Sequence, residues 1–167
     1  MLLIAGALAG ARSINELALD AFAEEGPAVL HITGARDYEV LKQRPRRGDY
    51  RMIPSTDRIG AAYSACDLAL MRAGSSVWEL AAAGKPAVLV PYPYATGDHQ
   101  ARNAEYFVAA GGAIMVRDAD LATVPDRIRE LLASPDRMQQ MGEAMLRAAR
   151  PGAADEIAEG LIELAGR

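Results

Sequence analysis

The residues best able to do chemistry lie in two turns of the stretch RAGSSVWELAAAGKPAVLVPYPYATGDHQARNA, residues 72–104. In the first turn, Ser75 and Ser76 stand where a helix is predicted to begin, so their hydroxyls and free backbone N–H groups could hold a phosphate. Glu79 follows, and a carboxylate can accept two hydrogen bonds from the hydroxyls of a sugar. Because Glu79 lies three residues after Ser76, the spacing is also consistent with a capping box that only stabilises the helix.

The second turn carries Asp98, His99 and Gln100 after a proline-rich loop. Asp98 is predicted to cap the following helix, while His99 and Gln100 are either ligand-binding groups or ordinary polar residues of its first turn. No nucleophile is paired with His99, because the chain has no GxSxG motif and its cysteine lies in an apolar segment. No pair of carboxylates suited to glycoside hydrolysis can be identified either. The two turns therefore predict binding rather than covalent catalysis.

A third loop, GALAGA, joins the first apolar run to a helix and has glycines at Gly6 and Gly10. Small residues let the backbone approach an anion, and the start of the helix favours phosphate. The glycine spacing is not the GxGxxG of dinucleotide-binding proteins. A tight turn explains these glycines equally well.

Short, solid apolar runs alternate with helical segments along the chain. Solid apolarity is typical of parallel strands that are covered on both faces. The alternation predicts an α/β fold: a Rossmann-like, doubly wound parallel sheet of six strands in the order 3-2-1-4-5-6, with helices on both faces. The predicted strands are 2–5, 28–33, 50–53, 67–71, 86–90 and 113–116. The predicted helices are 12–24, 37–43, 58–65, 76–84 and 99–110, with two or three more between Leu121 and Leu164.

Length and composition limit the classes of function. The 167 residues, 51% of them apolar, fit one domain with its own core. The net charge of −4, with acids and bases interspersed, argues against a nucleic-acid partner. One cysteine, Cys66, excludes an internal disulfide, and with only two distant histidines a zinc site is not expected. The basic stretch 42–50 is either a solvated loop or a functional patch.

The apolar start, MLLIAGALAGA, invites comparison with a signal peptide. It lacks the basic segment that precedes the apolar part of such peptides, and it continues into a charged helix. We therefore expect a buried first strand. No apolar run approaches the roughly 20 residues needed to span a bilayer.

Several of these motifs together resemble one known family. The segments GARSINE, HITGARDYEVL, the 72–104 stretch and AGGAIMV are similar to the C-terminal half of the MurG family of bacterial GT-B glycosyltransferases. The resemblance covers residues 1–167, which it implies form a single nucleotide-sugar-binding domain. The segment 72–104 is the part of the sequence that is specific to this family. It implies binding of UDP-GlcNAc without a metal, for transfer of GlcNAc to lipid-linked muramyl-pentapeptide (lipid I to lipid II) in peptidoglycan synthesis. It also implies a cytoplasmic protein, peripheral at the plasma membrane once joined to its acceptor half.

The resemblance also implies a role for particular residues. The Gly6–Ala11 loop approaches the diphosphate, and the backbone near Thr56 reads the uracil. Glu79 grips the ribose hydroxyls, Ser75 and Ser76 face phosphate, and His99 and Gln100 hold GlcNAc hydroxyls. The donor-binding residues implied in this way are Gly6, Gly10, Ala11, Thr56, Arg72, Gly74, Ser75, Ser76, Glu79, His99, Gln100 and Asn103.

Two departures from the family pattern fall at this predicted site. Leu8 stands where the family has a phosphate-facing serine, and the turn before Glu79 is one residue shorter than usual. Either the turn absorbs the missing residue or Glu79 is displaced, since one residue rotates a helix by about 100°.

The family's N-terminal acceptor half, with the acceptor site and the presumed base, has no counterpart among these residues. We therefore assign no catalytic residue and expect the isolated chain to be inactive, either as a fragment or as one subunit of a split enzyme. The predicted C-terminal helix, 153–164, is the part expected to reach the acceptor half. A non-catalytic nucleotide-sugar-binding or scaffold domain, and the donor half of another GT-B transferase, remain as alternatives.

Overall fold

Six short strands form the centre of the fold. The computed structural model describes residues 1–6 and 11–166. The strands are β1 (Leu2–Ala5), β2 (Val29–Ile32), β3 (Tyr50–Ile53), β4 (Leu68–Met71), β5 (Ala87–Leu89) and β6 (Ala113–Met115). All neighbours are parallel, and the order is β3-β2-β1-β4-β5-β6, so the predicted topology is confirmed.

Helices follow the strands as the sequence predicts. They are α1 (Arg12–Phe22), α2 (Ala35–Leu41), α3 (Ile59–Ala65), α4 (Ser76–Ala82), α5 (His99–Ala109), α6 (Val124–Leu132), α7 (Pro135–Ala148) and α8 (Ala153–Ala165). Helix α2 begins two residues earlier than predicted. Gly34 precedes it with a φ of 81°, a conformation that glycine adopts without strain, and so lets the chain turn directly from β2 into the helix.

The core consists of two apolar layers, one on each face of the sheet. In β4, Leu68 and Leu70 pack in the layer that includes α1 and α6. Ala69 and Met71 pack in the opposite layer, which includes α3, α4 and α5. Both faces are covered, which explains why the strands are solidly apolar rather than alternating.

Helix α8 differs from the other helices because none of its residues is buried. Ile157, Leu161, Ile162 and Leu164 are each more than half exposed. In the described part of the chain, no helix is long and apolar enough to cross a membrane.

Candidate functional site

A cleft of about 400 Å³ lies at the carboxyl ends of β1 to β4, which we call the nucleotide cleft. Loops after four neighbouring parallel strands meet there, as expected for ligand sites in such sheets. Five of the residues singled out in the sequence line it: Gly6, Thr56, Ser75, Ser76 and Glu79. Its other lining residues are Ala5, Ile32, Gly34, Pro54, Ser55, Ile59, Tyr63 and Met71.

The position of Glu79 bears on the two questions that the sequence raised about it. Helix α4 begins at Ser76, and Ser75 precedes it without a side-chain capping bond, so Ser76 and Glu79 do not form a capping box. Glu79 lines the cleft, although the resemblance implies that the turn before it is one residue short. Its side chain is exposed and has no hydrogen-bond partner among the described residues. The carboxylate is therefore available to a ligand.

Thr56 and Tyr63 also line the nucleotide cleft, and each has a distinct environment. The backbone N–H of Arg58 donates to the Thr56 hydroxyl at 3.0 Å, which fixes the turn after β3. Tyr63 also lines the cleft, although its place on an apolar helix face gave no sign of this in the sequence. Burial raises the pKa of the Tyr63 hydroxyl to about 12, and the negative charge of Glu79 adds to the increase. Tyr63 thus remains a neutral hydrogen-bonding group beside the carboxylate.

A second cavity, of about 470 Å³, adjoins the same set of loops. Ala11, Arg72 and Gln100 of the predicted site line it. The other lining residues are Arg12, Ser13, Arg36, Tyr92, Pro93, Tyr94 and Asp118. Eight of the twelve predicted donor-site residues are therefore divided between these cavities, five in the nucleotide cleft and three in the second cavity.

The Arg72 side chain is committed to partners within the protein. Its Nη1 donates to Asp118 Oδ1 at 2.6 Å and to the carbonyls of Val90 and Pro91, each at 3.2 Å. Its Nη2 donates to the Ser13 hydroxyl at 2.9 Å. The Arg72 side chain is 9% exposed. Its hydrogen bonds tie the loops after β4, β5 and β6 to the start of α1. Asp118, which is distant in sequence and lies in a short turn, was missed by sequence reasoning.

The three polar residues predicted on α5 mostly fix loops. Gln100 Oε1 accepts from the backbone N–H of Tyr92 at 3.0 Å, which leaves its amide nitrogen available. Asn103 Nδ2 donates to the Ala73 carbonyl at 3.0 Å, beside Gly74, and so holds the turn before α4. His99 Nδ1 lies 2.8 Å from the Thr96 carbonyl, which requires a proton on Nδ1 and leaves Nε2 as an acceptor. Within residues 1–6 and 11–166, neither His99 nor Asn103 lines the two cavities.

The prediction that Asp98 caps α5 is wrong. Asp98 occupies the N-cap position but has a φ of 57° and makes no side-chain capping bond. This left-handed conformation is uncommon outside glycine, although Asp tolerates it better than most residues. The turn is therefore fixed by the backbone and by His99 rather than by the Asp98 carboxylate.

The glycine-rich loop is only partly described. Gly6 follows β1 and lines the nucleotide cleft, whereas the predicted roles of Leu8 and Gly10 lie outside the described residues. Ala11 precedes α1 without a side-chain cap, and the first turn of α1 holds no acidic residue. The first backbone N–H groups of α1 thus have no side-chain acceptor from its capping residue.

A buried line of polar side chains connects α1, β2 and β3. Asn15 Nδ2 donates to the Thr33 carbonyl and to Asp37 Oδ2, each at 2.9 Å. Asn15 Oδ1 can then only accept, so His31 carries its proton on Nε2 and donates to it at 2.9 Å. The Tyr50 hydroxyl donates to His31 Nδ1 at 2.8 Å. Burial lowers the pKa of His31 to about 4, with a further contribution from the charge of Arg46.

Comparisons with known proteins agree with this fold. A model of the glycosyltransferase family 28 C-terminal domain matches residues 1–157. The UDP-N-acetylglucosamine--N-acetylmuramyl-(pentapeptide) pyrophosphoryl-undecaprenol N-acetylglucosamine transferase of Nitratidesulfovibrio vulgaris (strain DP4) is 42% identical over 98% of this chain and 47% of its own length. The protein of the same name from Chlorobium limicola is 43% identical over 98% of this chain and 47% of its own length.

Among solved structures, the crystal structure of Acinetobacter baumannii MurG is similar, with a TM-score of 0.83 and 26% identity. The match covers 97% of this chain and 49% of that one. The chain therefore spans about half the length of the proteins it matches.

Proposed function

Because the chain belongs to the family of glycosyltransferase family 28 C-terminal domains, we propose that it is the donor-binding half of a UDP-GlcNAc-dependent transferase. In this proposal GlcNAc is added to lipid-linked muramyl-pentapeptide, which converts lipid I to lipid II. The observation that carries it is the nucleotide cleft, where Gly6, Thr56, Ser75, Ser76 and Glu79 meet. Relatives named for this activity are about twice as long, so the activity belongs to a protein with both halves.

The two cavities support an extended binding mode for the donor. The uracil lies against the backbone near Thr56, and the ribose diol donates two hydrogen bonds to Glu79. The sugar extends into the second cavity, where the amide nitrogen of Gln100 donates to a GlcNAc hydroxyl. His99 is not among the described lining residues of that cavity, so the role of His99 Nε2 as acceptor for another GlcNAc hydroxyl rests on the family resemblance. Backbone N–H groups and arginines balance the diphosphate charge, so we expect no metal to be required.

Transfer itself requires a second half. A base must act on the acceptor hydroxyl while donor and acceptor are held together. The proposed roles here are all donor-holding, so the isolated chain is expected not to transfer GlcNAc to a lipid I analogue. Helix α8, with Ile157 and Leu161 exposed, is the segment proposed to contact the acceptor half. Through that half the enzyme is proposed to lie at the cytoplasmic face of the membrane.

Calorimetric titration of the chain with UDP-GlcNAc, UDP-GalNAc and UDP tests the donor assignment. We expect UDP-GlcNAc to bind more tightly than UDP-GalNAc, because the sugar hydroxyls are read in the second cavity. Absence of binding by all three ligands to the folded chain would refute the assignment. A preference for UDP-GalNAc would favour the donor half of another transferase.

Mixing the chain with a separately produced acceptor half tests the division of labour. Transfer to a lipid I analogue is expected only in the mixture. Turnover by the chain alone, abolished by His99→Ala, would contradict the proposal. A complex of the two halves that binds donor but transfers no sugar would favour a non-catalytic role.

A further inference from the structure

Arg36, in the first turn of α2, lines the second cavity and lies two residues after Gly34, which lines the nucleotide cleft. A ligand that occupies both cavities must therefore carry its middle part past Gly34 and Arg36. In a nucleoside diphosphate sugar, the middle part is the diphosphate.

The distribution of charge leaves few groups that could meet a diphosphate there. Within the described residues, no lysine or arginine lines the nucleotide cleft. In the second cavity, Arg72 is occupied by Asp118 and by backbone carbonyls. Arg12 pairs with Glu16, but both side chains are about half exposed or more, which makes this a weak, solvated pair. Arg36 is the remaining arginine at this position.

Arg36 is held by a carboxylate that is itself fixed. Its Nε donates to Asp37 Oδ1 at 2.7 Å and its Nη2 to Asp37 Oδ2 at 3.1 Å. Asp37 is 9% exposed, while the Arg36 side chain is 63% exposed. The hydrogen bonds from Arg36 hold the pKa of the Asp37 carboxyl below its usual value, so this partner remains charged. Asn15 donates to the same carboxylate from the buried polar line.

This arrangement uses one edge of the guanidinium and leaves the other edge unused. Only Nε and Nη2 bond to Asp37, so Nη1 and its two protons have no acceptor among the described residues. An arginine fixed in this way loses little side-chain freedom when it binds a ligand. Guanidinium groups also match the geometry of phosphate oxygens.

We propose that Arg36 is a further donor-binding residue, whose Nη1 donates to the diphosphate, and that Asp37 and Asn15 are its positioning residues. The inference rests on the proposed function, because it assumes a nucleoside diphosphate ligand. It also gives the diphosphate a side-chain donor in a protein where the resemblance implies that Leu8 stands in the place of a phosphate-facing serine.

Titrations with UDP and with uridine test whether Arg36 contacts the diphosphate, because uridine lacks the diphosphate. A general effect on the cleft would weaken the binding of both ligands. In Arg36→Gln, we expect UDP affinity to fall by about tenfold, the loss of one charge-assisted hydrogen bond, while uridine affinity changes by less than about twofold. Arg36→Lys keeps the charge without the paired contact to Asp37, so its loss should be intermediate. Arg137→Gln, an exposed arginine on α7, is the matched control and should bind both ligands normally.

Two variants address the carboxylate that Arg36→Gln leaves without its partner. Arg36→Gln/Asp37→Asn removes this unpaired charge and should show the same selective loss of UDP affinity. Asp37→Asn alone keeps Arg36 but loosens it, so UDP affinity should fall by about threefold, with uridine affinity unchanged.

The outcomes distinguish this inference from the proposed function. Binding of UDP and uridine by the unmodified chain tests the function, and absence of both overturns the function and the inference together. If both ligands bind but UDP affinity is unchanged in Arg36→Gln, only the role of Arg36 is overturned. Equal losses of affinity for UDP and for uridine, in both Arg36→Gln and Arg36→Gln/Asp37→Asn, would also overturn the inference. Arg36 would then have only a structural role.

Discussion

The nucleotide cleft and the second cavity lie side by side but hold their polar groups in opposite ways. In the cleft, the Glu79 carboxylate is exposed and without a partner among the described residues. In the second cavity, Arg72, Asp118 and Gln100 are bonded to one another or to nearby loops. Polar groups without partners are available to a ligand, whereas bonded groups fix the loops that shape its site. Substitution of Glu79 in the cleft should therefore change affinity, and substitution of the bonded residues Arg72 and Asp118 in the second cavity should chiefly change stability.

Arg72→Met should produce the largest effect and tests the structural side of this contrast. It leaves Asp118 without its cation and two backbone carbonyls without their donor. Breaking such a largely buried ion pair should lower the free energy of unfolding by about 3 kcal/mol, measured by urea denaturation. The control is Arg137→Gln, which should change it by less than about 0.5 kcal/mol. Unchanged stability in Arg72→Met, with weakened donor binding, would assign Arg72 to the ligand instead.

The buried line of polar side chains that connects α1, β2 and β3 should make stability depend on pH. His31 has a folded pKa of about 4, whereas an unfolded histidine has a pKa of about 6.5. The unfolded chain therefore takes up a proton as pH falls below about 6.5, while the folded chain does not, and stability is lost. Between pH 7 and 5, the free energy of unfolding should fall by about 2 kcal/mol from this residue.

Urea denaturation across that pH range, with His31→Gln as the control, measures this contribution. The variant cannot titrate at position 31, so its stability should fall less steeply over the same range. Asp37 does not affect this measurement, because its pKa is lowered in the folded protein and its contribution to the free energy of unfolding is lost only at more acid pH. Parallel pH profiles for the two proteins would show that His31 is not held neutral.

Sequence reasoning predicted the sheet and the cleft better than it predicted the second cavity. Solid apolar strands specify a parallel sheet, and the loops after its strands must then meet, which brings Thr56 near Glu79. The hydrogen bond from Arg72 to Asp118 joins residues that are 46 positions apart. The sequence around Arg72 gives no sign that Asp118 is its partner, and the sequence around Asp118 gives no sign of Arg72. Tyr63 was missed for a related reason, since its apolar helix face predicts core packing. Pairings set by tertiary contact have no local pattern to detect.

Glu79→Gln tests the ligand side of the contrast. The variant keeps the shape but removes the charge, and a hydrogen bond to a carboxylate contributes about 1.5–3 kcal/mol. UDP and uridine affinities should therefore both fall by about tenfold or more in calorimetry. Stability should change by less than about 0.5 kcal/mol, because Glu79 has no partner to lose. Glu105→Gln, an exposed glutamate on α5, is the control. Unchanged UDP affinity in a folded Glu79→Gln protein would remove Glu79 from the site.

Gln100 should combine the two kinds of behaviour, because the two polar atoms of its amide have different roles. Its oxygen holds the Tyr92 backbone, and its nitrogen is proposed to donate to the donor sugar. Gln100→Glu keeps an acceptor for Tyr92 but removes the donor. We expect UDP-GlcNAc affinity to fall by about fivefold, the loss of one neutral hydrogen bond, with UDP affinity unchanged.

Gln100→Ala removes both ends of the amide and separates the two tasks. It should show the same loss of UDP-GlcNAc affinity together with lower stability, since the Tyr92 N–H loses its acceptor. Gln140→Ala, an exposed glutamine on α7, is the control for both measurements. If Gln100→Glu weakens UDP and UDP-GlcNAc equally, the amide nitrogen does not read the sugar. Gln100 would then belong wholly to the group of residues that fix loops, and the second cavity would select the sugar by its shape.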